Sequence, residues 1–155
     1  MRHTAEPPSW PVIHDLEVRE EYPGAIEALE SRVAANPEDR EAVIRLGFNL
    51  WYAVVEQMRM GKPLPTKQYA KRFMDLYGCY STNLADSADF CWAFGLGMSL
   101  FPHDFPGASA EEGDKLLGRA RSLDSFWAQF SEPGAEVDMA PLRNRGIFTA
   151  YYNVA

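Results

Sequence analysis

The sequence predicts an all-α domain of six to seven helices. Apolar residues recur at spacings of three and four along most of the chain, which is the period of a helix with one buried face. No run shows the strict alternation of apolar and polar side chains that marks a half-buried strand. The composition, with 46% hydrophobic and 24% charged residues over 155 positions, is that of a single folded domain.

The first segment, residues 1–21, is predicted to be an extended N-terminal arm. It contains Pro7, Pro8 and Pro11 and has no sustained helical period. Its apolar side chains are too many for a free tail, so we expect the arm to pack on a single helical domain formed by residues 22–155. Those side chains are Trp10, Val12, Ile13, Leu16 and Val18.

Two helices are predicted between Pro23 and Gly61. The first has one apolar stripe and ends at Asn36-Pro37. The second opens at Asp39 and is apolar on so many sides that it should lie at the centre of the fold. Its apolar residues are Val43, Leu46, Phe48, Leu50, Trp51, Tyr52, Val54, Val55 and Met58.

The next two helices are predicted from their first residues. Thr66 can cap a third helix, and either Asp86 or Ser87 can cap a fourth. Gly95 and Gly97 lie inside the fourth helix, where glycine is unfavourable, and they predict the close approach of a neighbouring helix.

Three further helical elements complete the chain. Ser109 and Glu112 form a capping box at the start of a fifth helix. A short sixth element starts at Ser125, and Pro141 suits the first position of a last helix.

A repeat-like pattern runs from Tyr22 to Trp51. It consists of Tyr22, Ala25-Ile26, Leu29, Val33, Asn36-Pro37, Ala42, Leu46-Gly47 and Leu50. This pattern resembles the tetratricopeptide repeat family at the junction of two repeats, and weaker echoes extend the resemblance to about residue 130. The resemblance implies stacked antiparallel helix hairpins forming a superhelix with a protein-binding surface. A compact α-bundle is the alternative architecture.

The charge is unevenly distributed. A net charge of −7 argues against a nucleic-acid binder, which neutralises phosphates with basic residues. Acidic residues outnumber basic ones in residues 86–138, a bias that is typical of an ordinary solvated surface but also of a face that attracts a basic protein. The candidate partner-binding residues are Asp86, Asp89, Asp104, Glu111, Glu112 and Asp114.

A second candidate surface is basic. Residues 59–72 contain five lysines and arginines and no acid. Arg45 and Asn49 share one face of the second helix, and Lys67 and Lys71 lie on the third. In the resembled family, such residues line grooves that hold a peptide tail, so these four residues are the alternative partner-binding groove.

No catalytic, metal or cofactor site is predicted. His103-Asp104 lies between two prolines and is interpreted as a turn. The spacing of the histidines and of the two cysteines does not suit zinc. Because no segment approaches the roughly 18 apolar residues that cross a bilayer, and the N-terminus lacks a secretory signal, we expect a cytoplasmic protein.

In size, acidity and predicted helical fold, the chain is similar to the immunity proteins of bacterial contact-dependent growth inhibition systems. That similarity implies a non-enzymatic protein that binds and neutralises a cognate toxin of basic, nuclease type. The alternative function is an adaptor that holds a peptide tail of its partner. A small-molecule sensor or an enzyme is a third hypothesis.

Overall fold

The fold is all-α, as the sequence predicts. The computed structural model describes residues 6–60, 63–131, 136–142, 145 and 147–148. Within these residues the chain forms seven α-helices and no strand. The helices are α1 (Trp10–Val18), α2 (Tyr22–Ala35), α3 (Arg40–Met60), α4 (Thr66–Tyr80), α5 (Ala88–Leu100), α6 (Ala110–Leu123) and α7 (Ser125–Ala128).

Helix α3 is the centre of the molecule. Every residue from position 42 to position 50 is buried, so this half of the helix is covered on all sides. It packs against α2, α4 and α5, while α6 packs on the far side of α5. The prediction of a central helix, made from its apolar circumference, is confirmed.

The prediction of an extended N-terminal arm is wrong for residues 10–18, which form α1. Pro11 lies in the first turn, where its missing N–H costs the helix no hydrogen bond and its fixed φ is already helical. The arm does pack on the domain as expected: α1 lies against α2, and Ile13 is fully buried.

Side-chain caps fix the starts of α5, α6 and α7. The Ser87 hydroxyl accepts a hydrogen bond from the Phe90 N–H, and Ser109 does the same for Glu112. Asp124 caps α7 through the Phe126 N–H. The cap predicted at Thr66 is wrong, because α4 begins at Thr66 itself and follows Pro65 without a side-chain cap.

Glycines allow α5 to lie close to its neighbours. A Cβ atom at Gly113 of α6 would overlap the backbone of Ser99 in α5. A Cβ at Gly97 would lie 3.1 Å from side-chain atoms of both Phe73 and Trp51, and one at Gly95 would lie 3.1 Å from the carbonyl oxygen of Gly113. The close approach predicted from Gly95 and Gly97 is therefore confirmed.

The C-terminal segment packs on the helices through its apolar residues. Pro141 lies in a 3-10 turn, Ala140–Leu142, where the sequence predicted the start of an α-helix. Leu142, Ile147 and Phe148 are buried. The ring of Phe148 contacts Phe48 of α3, with the ring centroids 5.5 Å apart.

Candidate partner-binding surface

Three of the six predicted acidic residues are exposed on one continuous segment, residues 102–114. Asp104 closes the 3-10 turn Pro102–Asp104, while Glu111 and Asp114 lie near the start of α6. Glu111 pairs with Lys115 at 3.5 Å, but the side chains are 82% and 68% exposed, so solvent screens the pair. Asp114 accepts a hydrogen bond from the Ser99 hydroxyl of α5. We call Asp104, Glu111 and Asp114 the acidic surface.

The other three acidic residues do not belong to this surface. Asp86 pairs with Arg40 at 2.9 Å. It lies before the start of α5, and Asp104 lies after the end of α5, so the length of this 13-residue helix, about 20 Å, separates the two aspartates. Glu112 is half-buried and accepts a hydrogen bond of 2.6 Å from the Tyr77 hydroxyl. Asp89 accepts hydrogen bonds from Arg145 and from the Trp127 indole.

Asp89 is part of a link between the C-terminal segment and two helix starts. The Arg145 guanidinium forms ion pairs with both Asp89 in the first turn of α5 and Asp124 at the cap of α7. Burial disfavours the charged form of Asp124, but the hydrogen bonds from Arg145 and from the Phe126 N–H outweigh burial and lower its pKa. These acids therefore stabilise the fold, and the prediction that Asp89 faces a partner is corrected.

The four residues of the predicted groove do not lie together. Arg45 and Asn49 are buried, with 5% and 0% of their surface exposed, and thus do not line an open groove. Both donate hydrogen bonds to the carboxylate of Glu17 in α1, which is itself buried. Arg45 also lies over the ring of Trp10 and pairs with Glu41 at 3.3 Å. These residues hold α1 on α3, which sequence periodicity did not indicate.

Lys67 and Lys71, in contrast, do line an open groove. Its volume is about 830 Å³, and its lining comes from α3, α4 and the turn at residues 103–106. His103, Gln57 and Asp104 line the same groove, although the sequence assigned Asp104 to the acidic face and the other two to neither surface. We call this cavity the α4 groove. The full lining is Val54, Gln57, Thr66, Lys67, Ala70, Lys71, His103, Asp104 and Pro106.

The α4 groove has a rigid frame. Phe105 is buried and its ring lies 4.6 Å from that of Phe73, which anchors the turn to α4. The Asp104 N–H donates to the Phe101 carbonyl at 3.1 Å, and Gly107 has a φ of +83°, a conformation that favours glycine. The chain thus turns sharply between α5 and α6 with its charged tip held in place.

Within the described ranges, histidine, cysteine and acidic side chains do not gather in groups of three that could hold a metal ion. None of the helices in the same part of the chain combines the length and the hydropathy that a membrane span requires. No protein-family model, curated protein or solved structure matches this chain.

Proposed function

We propose that this chain is a non-enzymatic protein-binding domain and that its partner is a basic protein bound at the acidic surface. In our leading hypothesis it is a cytoplasmic immunity protein that neutralises a cognate bacterial toxin of nuclease type. Such a toxin needs a basic face to hold nucleic acid, and a carboxylate surface on the immunity protein competes for that face.

The observation that carries this proposal is the different use of the acids in the molecule. Glu17, Asp89 and Asp124 are hydrogen-bonded to arginines inside the fold. Asp104, Glu111 and Asp114 remain at the surface, on a segment held by the packing of α6 on α5. These acids are exposed and make only surface contacts within the fold, with Lys115 and Ser99, so they can raise the association rate with a basic partner.

A double charge reversal tests the acidic surface. Glu111→Lys with Asp114→Lys changes the net charge by four, and so does the control pair Glu27→Lys with Glu38→Lys, which are exposed on and after α2. The tagged proteins are used to capture a partner from native cell lysate, and association with the purified partner is measured at low and high salt. We expect the test pair to slow association at low salt by about tenfold or more and the control pair to change it far less.

Toxin neutralisation requires a second readout. The captured partner, expressed alone, should arrest growth, and co-expression of the wild-type chain should restore it, whereas the E111K/D114K variant should restore it poorly. Equal association rates for the test and control pairs would remove the acidic surface from the proposal, and a harmless partner would remove the immunity function.

The adaptor that holds a peptide tail is the second candidate function, and the α4 groove supports it. Lys67 and Lys71 lie one helical turn apart and line the same open groove. An adaptor of this kind should bind a short peptide alone, whereas an immunity protein should bury on the order of 1,600 Å² against a folded domain.

A further inference from the structure

The α4 groove carries charges of both signs that the fold leaves unused. Lys67 comes from α4 and Asp104 from the turn, yet within the described residues neither forms an ion pair with the other or with a third group. Lys71 pairs with Asp75 at 2.7 Å, but the two side chains are 75% and 50% exposed, so that pair is weak and easily exchanged.

We propose that the α4 groove binds an extended peptide segment of the partner protein that carries both acidic and basic side chains. The acidic side chains bind Lys67 and Lys71, and the basic side chains bind Asp104. The segment's apolar atoms lie on Val54, Ala70 and Pro106, which line the same cavity. This inference rests on the proposed function only in taking the partner to be a protein.

The size and rigidity of the groove favour such an occupant. The groove is open to solvent along its length and has a volume of about 830 Å³, which suits an extended segment lying along the surface better than an enclosed small molecule. Because Phe105 and Phe73 fix the turn against α4, the groove is formed before binding, which reduces the entropy lost when the segment is bound.

The position of Asp104 connects the groove with the acidic surface. Asp104 lines the cavity, while Glu111 and Asp114 follow it on the same segment. A partner whose basic surface faces Glu111 and Asp114 can therefore place a neighbouring loop or tail in the groove. The two surfaces then form one continuous binding region.

The test uses short peptides whose N- and C-termini are blocked, and it contains no partner protein. The probe is Glu-Glu-Val-Val-Arg-Arg, used in this order and in the reverse order, and the control is Gln-Gln-Val-Val-Gln-Gln. Binding is followed through the imidazole NMR signals of His103, which lines the groove, and of His14, which lies in α1. We expect one order of the charged peptide to shift the His103 signals at saturation, with the His14 signals unchanged.

Matched lysine variants locate the site. Lys67→Glu with Lys71→Glu should weaken binding of the charged peptide by about tenfold or more, since two attractive contacts become repulsive. Lys71→Glu alone changes the net charge by two and should weaken binding several-fold, whereas Lys115→Glu, the same change at an exposed lysine of α6, should leave it within about twofold. Asp104→Asn should weaken binding of the charged peptide but not of a variant peptide in which glutamines replace the arginines.

Three results would overturn the inference: equal binding of the charged and glutamine peptides, unmoved His103 signals with either order, or equal losses for the Lys67/Lys71 and Lys115 variants. Thermal unfolding of each variant shows whether it is folded. Since the peptide assay contains no partner, its failure would not affect the test of the acidic surface. Failure of the acidic-surface test would likewise leave the peptide assay valid.

Discussion

Two regions of this molecule use the same kinds of charged residue in opposite ways. Around α1 and the C-terminal segment, Glu17 pairs with Arg45, and Arg145 with both Asp89 and Asp124, so that arginines and carboxylates join parts of the chain distant in sequence. Along α4 and residues 102–114, by contrast, the exposed charged side chains include those of Lys67, Lys71, Asp104, Glu111 and Asp114. A charged residue is therefore a candidate for a partner surface only where the fold does not already pair it.

The largest expected effect is on the buried pair. Arg45→Met leaves the Glu17 carboxylate in the core without its cation, and we expect a loss of about 3–5 kcal/mol in the free energy of unfolding, measured by urea denaturation. Combining it with Glu17→Gln removes the buried carboxylate, leaves only the partly exposed Glu41 without its cation, and should recover most of that loss. A loss below about 1 kcal/mol for the single variant would contradict the structural role given to this pair.

A smaller effect is expected at the contact that positions the acidic surface. Gly113→Ala places a methyl group against the backbone of α5 and should cost about 1–3 kcal/mol. Gly118→Ala, on the same helix with open space around it, should instead stabilise the protein by about 0.5–1 kcal/mol. The melting temperatures of the two variants, measured by thermal unfolding, compare them directly. Equal shifts of the melting temperature from that of the wild type would contradict the close packing of α5 and α6.

The smallest of these effects concerns the half-buried ion pairs of Arg145. Arg145→Met should cost about 1–2 kcal/mol at neutral pH, because Asp89 and Asp124 are partly exposed and water replaces part of the interaction.

This loss should depend on pH. The pKa of Asp124 is lower in the folded chain than its ordinary value of 3.8, so its contribution to stability is present above that value and disappears as the pH falls through the lowered pKa. Urea denaturation at pH 7 and at acid pH should therefore show a smaller difference between wild type and variant at acid pH. A difference that stays constant would contradict the stabilising role given to the Arg145–Asp124 pair.

The helices were predictable from the sequence because their stabilisation is local. The apolar period located α2 to α6. The caps at Ser87 and Ser109 form as expected, but the Glu112 carboxylate binds the Tyr77 hydroxyl and is not seen to complete the predicted capping box. The charged contacts were not predictable, because they join residues 28 and 56 positions apart. Neither the burial of Arg45 nor that of Asn49 follows from the pattern of α3, since both depend on α1 being a helix that covers them.

The candidate site was predictable only in part for the same reason. Exposure decides which charges remain for a partner, and exposure is a property of the whole fold. Lys67, Lys71, Asp104, Glu111 and Asp114 keep the accessibility that the sequence assigned to them. The resemblance to tetratricopeptide repeats and the immunity function stay predictions.

The most direct test of the central claim is to measure both unfolding free energy and association rate for one variant, E111K/D114K. We predict a change in unfolding free energy within about 0.5–1 kcal/mol, together with an association rate at low salt that falls about tenfold or more and approaches the wild-type value at high salt. A variant that loses several kcal/mol of stability while it binds its partner at the wild-type rate would contradict the claim, because those acids would then serve the fold.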